Sequence, residues 1–232
     1  MTVSIDEDLT RLRLWQGGDA QAGRELFERH FDGLYRFFWN KIEVGDIEDL
    51  VQQTLLACVQ GHTRFRGDSS FRTYLFRIAQ LTLYKRWEAL RRSRGDVDFT
   101  AISLVDLGAS PSELVVQRQE HRILLAALRR VPVDSQILLE LYYWESLSGP
   151  ELAEILDLPQ GTVRSRLQRA KEQLLAAFRA LSSGVITVET TVEVLDEWAR
   201  RVHDRAALEY PALGDRKGPA HGQRRGGGAQ PS

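Results

Sequence analysis

Several things are scarce in this chain, and each scarcity removes a class of protein. Cys58 is the single cysteine of 232 residues, so no intramolecular disulfide framework and no thiolate cluster for zinc can form. The five histidines are scattered without the helical pairing of a metal site, and no metal or other cofactor is expected. No apolar run approaches the roughly 20 residues of a membrane span. The acidic start SIDEDL lacks the basic and apolar regions of a signal peptide, so the expected location is a reducing cytoplasm. No nucleophile, base and orienter, phosphate loop or metal cluster can be assembled, which argues against an enzyme. Formal net charge is only −1, so attraction to nucleic acid must come from local clustering.

That clustering is present. Arg64, Arg66, Arg72, Arg77, Lys85, Arg86, Arg91, Arg92 and Arg94 face only Asp68 and Glu88 in their stretch of chain. Between Ile42 and His62 the charges are instead acidic: Glu43, Asp46, Glu48 and Asp49. The remaining composition, 43% hydrophobic and 27% charged, is that of an ordinary globular protein.

Helical periodicity dominates and strand alternation is scarce, which predicts an all-α fold. A first helix is expected over 6–16, ending at Gly17 and Gly18. A second spans about 19–42, with Phe27, Phe31, Leu34, Tyr35 and Phe38 inside. Asp46 is expected to cap a third helix whose inner face is Ile47, Leu50, Val51, Thr54, Leu55 and Cys58. A fourth runs over about 70–92. The pattern then lapses around Gly95, Gly108 and Pro111, as a flexible linker would. The expected organisation is one small helical domain over 1–93, a linker over 94–112 and a second over 113–182. An extension over 183–232 follows, helical to about 210 and then rich in Gly, Arg, Gln and Pro, a composition that cannot form a packed core.

The most informative motif is PELAEILDLPQGTVRSRLQRAK, from Pro150 to Lys171. Ser148 stands three residues before Glu151, the spacing of a capping box at a helix start. Leu152, Ala153, Ile155 and Leu156 supply an apolar face, and Asp157, Leu158 and Pro159 break the helix. Asp tolerates the left-handed turn conformation, and Pro159 suits the first position of a new helix. On that helix Val163, Leu167, Ala170 and Leu174 share a buried stripe, opposite Thr162, Ser165, Gln168 and Arg169. Arg164, Arg166 and Lys171 flank this face for phosphates, while Gln168 and Arg169 suit bidentate pairing with adenine and guanine edges. The pattern is a helix-turn-helix of the size that enters a DNA major groove.

Two other constellations accompany it. From Thr63 to Arg92, Phe65, Phe71, Tyr74, Phe76, Tyr84 and Trp87 interleave with basic residues, a combination that holds single strands at about 1 to 3 kcal/mol of stacking per base. Phe71, Tyr74, Leu75 and Ile78 also follow helical packing spacing, which makes Phe65, in a loop beside Gly67, the better base contact. The segment DIEDLVQQTL, Asp46 to Leu55, presents an acidic, amide-rich outer face.

In this order the segments DIEDLVQQTL, FRTYLFRIA and LSGPELAEILDLPQGTVRSRLQRAKEQL resemble regions 2.2, 2.3 to 2.4 and 4.2 of bacterial RNA polymerase sigma factors of the extracytoplasmic-function (ECF) group. The resemblance covers about residues 6–181. It implies that Asp46, Glu48, Asp49, Gln52 and Gln53 face the clamp helices of core RNA polymerase. It implies a minus-ten site made of Arg64, Phe65, Arg66, Asp68, Ser69, Phe71, Arg72, Arg77, Gln80 and Lys85, with a flipped base received by the loop. Thr162, Arg164, Ser165, Arg166, Gln168, Arg169 and Lys171 would read the minus-thirty-five element. Core RNA polymerase and promoter DNA are the implied partners, with an anti-sigma factor as a further one, in a nucleoid-associated cytoplasmic protein.

The chain departs from the family pattern in two places. Gln80, Leu81 and Lys85 stand where Arg, Asn and Asp are usual after RIA, and residues 183–232 exceed the simplest members. An apolar stripe in that extension (Val188, Val192, Leu195, Ala199, Val202, Ala206) would need burial against another surface. The alternative readings are a decoy that binds polymerase or an anti-sigma factor without opening promoters, and a stand-alone helix-turn-helix regulator.

Overall fold

The computed structural model describes residues 5–39, 41–42, 44–91, 98–106, 119–182 and 197. Among them every regular element is helical, apart from one isolated bridge between Ser103 and Pro132. The apolar stripe expected after residue 183, and most of the expected linker, lie outside the described residues.

Helix α1 (Ile5–Gln16) ends at Gly17 and at Gly18, whose φ of 103° favours glycine. Asp19 then caps α2 (Ala20–Trp39), its Oδ1 accepting from the Gln21 and Ala22 amides at 2.9 and 3.2 Å. Leu26, Leu34, Tyr35, Phe37 and Phe38 form the buried stripe of α2, while Phe27 and Phe31 pack half-buried at its margin. Burying each large side chain contributes about 1.5 to 3 kcal/mol, so this one face commits α2 to the centre of the first half.

Helix α3 (Val44–Gly61) begins three residues earlier than a cap at Asp46 would have it. Asp46 is therefore no cap: it sits in the first turn, and its carboxylate accepts from Arg86 Nη2 at 2.5 Å. Ile47, Leu50, Val51, Thr54 and Cys58 are buried as expected. A short 3-10 turn, His62–Arg64, leads into α4 (Phe71–Arg91), which Ser70 caps through the Thr73 amide at 3.0 Å.

The second half contains α5 (Gln119–Leu128), α6 (Val133–Tyr143), α7 (Gly149–Leu156) and α8 (Gln160–Ser182). Leu124, Leu128, Leu139, Tyr143, Ala170, Leu174 and Phe178 join α5, α6 and α8 in a core of their own. A larger core runs through both halves, from Leu34, Phe38, Phe71, Leu75 and Phe76 to Val133, Ile137, Leu141, Leu152 and Ile155. Helix α7 rests against α4. The described part of the linker, 98–106, is seated at this seam. Leu104 is fully buried, and Phe99 stacks on Tyr84 with centroids 4.6 Å apart and planes 6° from parallel. Backbone bonds from Val133 to Ile102 (2.9 Å) and from Asp134 to Phe99 (3.1 Å) fix that stretch to α6.

Candidate nucleic-acid interface

The helical pair of the second half is built by local signals. Glu151 accepts from the Ser148 amide at 2.8 Å and from its hydroxyl at 2.7 Å, closing the capping box at the start of α7. Asp157 ends α7 at φ 56° and ψ 49°, in the left-handed region, and donates its amide N–H to Ala153 and Glu154 carbonyls. Three residues later α8 begins. Its buried stripe, Val163, Ala170, Leu174 and Phe178, turns the opposite face outward, where Arg164, Ser165, Arg166, Gln168 and Arg169 are exposed.

Short-range bonds order that face. Ser165 Oγ donates to the Thr162 carbonyl at 2.9 Å, and Gln168 Nε2 to Glu172 at 2.9 Å. Lys171 is half-buried, its ammonium 4.8 Å from the centroid of the Tyr142 ring. Thr162 is also half-buried. All seven residues expected on the recognition helix therefore lie along α8, five of them open to solvent.

The ten residues expected at the minus-ten site do not share one surface. Arg64, Arg66, Asp68 and Lys85 are exposed, and Phe65 and Ser69 half-buried. Phe71 is fully buried among Phe27, His30 and Tyr74, because it opens α4 on the side that faces α2. Its ring is part of the core and not of the loop surface. Gln80 is also buried, donating to Tyr84 Oη at 3.0 Å. Arg72 and Arg77 point across the seam and are engaged by α7 and the turns flanking it. Leu81, where the family pattern has a polar residue, is 50% exposed on the same helix as Lys85.

The loop itself is held by residues that the sequence reading left unassigned. Gln16 Nε2 donates to the carbonyls of His62 (2.7 Å) and Phe65 (2.9 Å), tying the end of α1 to the base of the loop. Trp15 stacks on His62 at 4.1 Å and meets the Phe27 edge at 5.1 Å. The indole lies so close to Gly23 that a Cβ there would come within 2.8 Å of it. Phe65 leans on Tyr74 at 4.6 Å. Only the aromatic content of the stretch hinted at this; partners 46 and 49 residues apart give no local signal.

On α3, Glu48, Asp49, Gln52 and Gln53 are exposed in one row, with Gln53 Nε2 donating to Asp49 at 2.7 Å. Leu56 and Val59, 57% and 42% exposed, extend this row. Asp46, at its start, is shared with Arg86. The acidic charge of this row would repel nucleic-acid phosphates. No group of three or more metal-ligating side chains occurs among the described residues. No described helix is long and apolar enough to cross a membrane.

A helix, a tight turn and a second helix with an exposed basic face, on an all-helical body, have the form of a DNA-binding helix-turn-helix protein. The sigma-70 region 2 model matches residues 26–93 and the sigma-70 region 4 model residues 121–174. Over 167 residues the chain is 30% identical to the ECF RNA polymerase sigma-E factor of Escherichia coli (strain K12), spanning 68% of this chain and 87% of that one. The sigma-E factor of Haemophilus influenzae (strain ATCC 51907 / DSM 11121 / KW20 / Rd) is likewise 30% identical over 167 residues, with 68% and 88% covered. The fold is similar to that of CnrH, solved in complex with the cytosolic domain of CnrY (TM-score 0.57, 24% identity, covering 75% of this chain and 99% of that one). It is also similar to the sigma factor RpoE from Bartonella quintana, solved with the anti-sigma factor NepR (TM-score 0.50, 21% identity, covering 70% and 98%). The chain belongs to the ECF sigma factors of the sigma-70 family, the subunits that direct RNA polymerase to promoters.

Proposed function

We propose that this sigma factor divides its work among three surfaces. The outer row of α3, with Asp46, Glu48, Asp49, Gln52 and Gln53, docks on core RNA polymerase. The exposed face of α8 reads an upstream promoter element, with Arg164, Arg166 and Lys171 on phosphates and Ser165, Gln168 and Arg169 at base edges. The loop over 64–70 captures an unstacked base of the downstream element, and Phe65 is its aromatic platform. Phe71 supports that loop from the core and touches no base. The chain makes and breaks no bond itself; nucleotide addition belongs to the polymerase, and the complex acts at the nucleoid.

The observation that carries the reading is the solvent-open α8 face, basic and amide-bearing, immediately beyond the left-handed Asp157 turn. The similarly folded RpoE of Bartonella quintana, solved with the anti-sigma factor NepR, supports a further expectation, that an anti-sigma protein binds this chain too. In vitro transcription with purified core polymerase on a library of promoter sequences tests the whole proposal. Specific initiation that needs both the chain and the core supports it. Promoter binding by the chain with no effect on polymerase would make it a stand-alone regulator, and polymerase binding without initiation would make it a decoy.

A further inference from the structure

The segment between α3 and α4 carries Phe65, and its two sides differ. On the outer side Arg64, Arg66 and Asp68 are exposed and engage no side-chain partner among the described residues. On the inner side the backbone is bonded to the end of α1. One amide group, Gln16 Nε2, donates to two carbonyls at once, those of His62 at 2.7 Å and Phe65 at 2.9 Å. The His62 ring lies against Trp15 with planes 14° from parallel, and its Nδ1 donates to the Val59 carbonyl at 2.6 Å. Further along, Gly67 turns at φ 80°, and Leu9 of α1 lies 4.0 Å from where a Cβ would stand there. Helix α1 therefore underlies the loop from its base to its turn.

The Phe65 ring is set from another direction. It leans on Tyr74, whose hydroxyl fills the space that a Cβ on Gly61 would need. Gln16 and Tyr74 thus hold one residue by its carbonyl and by its ring. None of this is needed to seat α1. That helix is already fixed to α2 by the buried Leu12, by His30 Nε2 donating to Asp8 at 2.5 Å, and by Arg29 and Arg11 on Asp8 and Glu25 at 3.1 and 3.2 Å. Losing the two bonds of Gln16 would free the loop and leave α1 in place.

An exposed loop belongs to the least stable part of a fold unless something ties it down. A ring that receives an unstacked base serves only in the fraction of molecules that already present it, because apparent affinity scales with the competent fraction. Order imposed before the DNA arrives removes that cost from binding. We propose that Gln16 is a positioning residue for base capture, holding the Phe65 backbone in its receiving arrangement from α1, with the Trp15–His62 stack as its floor. The inference rests on the reading of Phe65 as the platform for the unstacked downstream base. Gln16 acts through Phe65 and touches no base itself. Helix α1 thereby shares in the downstream reader, through two hydrogen bonds that a side chain of equal size and opposite polarity would abolish.

Gln16→Glu is that side chain, since it sets a carboxylate oxygen against both carbonyls. The full chain with core polymerase is bound to single strands of the downstream element, selected from a randomised pool. At each position in turn the strands carry either the preferred base or an abasic site. Phe65→Ala marks the captured position as the one where it lowers the base-over-abasic affinity ratio. At that position alone Gln16→Glu should lower the ratio on the order of tenfold, the effect of two neutral hydrogen bonds lost. Upstream duplex affinity and helical circular dichroism should match the parent, and initiation should recover on a template whose downstream element is pre-opened. Gln16→Ala gives a second variant should the first lose its helical signal. An unchanged ratio at the captured position, or an equal loss of upstream affinity, overturns the inference. A Phe65→Ala chain with the parent ratio at every position instead overturns the reading of the loop beneath it.

Discussion

At the residue scale, two side chains show how environment outweighs identity. Cys58 reads in sequence as one apolar position on a helical face, and the structure buries it completely. Burial pushes its thiol up to about 12. Because the thiolate is the reactive form, a thiol reagent at pH 8 should leave the native chain unlabelled and modify one site per chain in denaturant. Labelling of the native chain at the denatured rate would contradict the assigned burial. The sign of the linked pH effect follows. The unfolded thiol releases its proton near pH 8.5 and the folded one near 12, so this group makes the fold less stable as pH rises between those values. Asp157 is the second case. Its φ of 56° is tolerable to Asp and Gly but costs a β-branched residue about 1 to 2 kcal/mol. Asp157→Val should lower the unfolding free energy by that amount and loosen the α7–α8 turn, while Asp157→Gly should leave stability near the parent value in urea titrations.

At the scale of elements, legibility followed sequence separation. The boundaries of α7 and α8 are readable because their signals are local: Ser148 lies three residues from Glu151, and Asp157 two from Pro159. The inner face of α3 was readable from period alone. Its start was displaced, since Asp46 resembles a cap yet spends its carboxylate on Arg86, 40 residues away. Phe71 follows helical packing spacing with Tyr74, Leu75 and Ile78, although the family resemblance places it in the minus-ten site, and the packing of α2 against α4 turns it inward. The support of the loop over 62–70 by Trp15, Gln16 and His62 could not be read at all, because α1 and the loop meet only in three dimensions. That support makes a prediction. Gly23→Ala pushes a methyl into the Trp15 indole, an overpacking that should cost about 1 to 3 kcal/mol and loosen α1 from α2. Thermal unfolding measures the first effect. Faster amide exchange over 62–65 than in the parent measures the second, and unchanged exchange there would separate α1 from the loop.

At the scale of the whole molecule, the sequence announced two helical units and their order but gave no sign that they touch. Lys41 and Glu140 are 99 positions apart, and each looks like an ordinary surface charge in its own segment. The family resemblance implies that Arg72 and Arg77 meet DNA, and only the folded chain shows both held by its own second half. The seam also seats Phe99 and Leu104 of the linker, apolar residues that its acidic neighbours obscured. What the whole structure adds is asymmetry: the basic face of α8 is open to solvent, whereas on α4 Arg72 and Arg77 are engaged and Gln80 is buried.

The central claim, that this ECF sigma factor reads a promoter in two separable parts, is tested most directly by selecting promoters from a randomised library with core polymerase and the Arg169→Ala chain. The account predicts that discrimination weakens by about 1 to 3 kcal/mol at a base of the upstream element alone, with the downstream preference and the spacing retained. Equal loss of preference at both elements, or none at either, would contradict it.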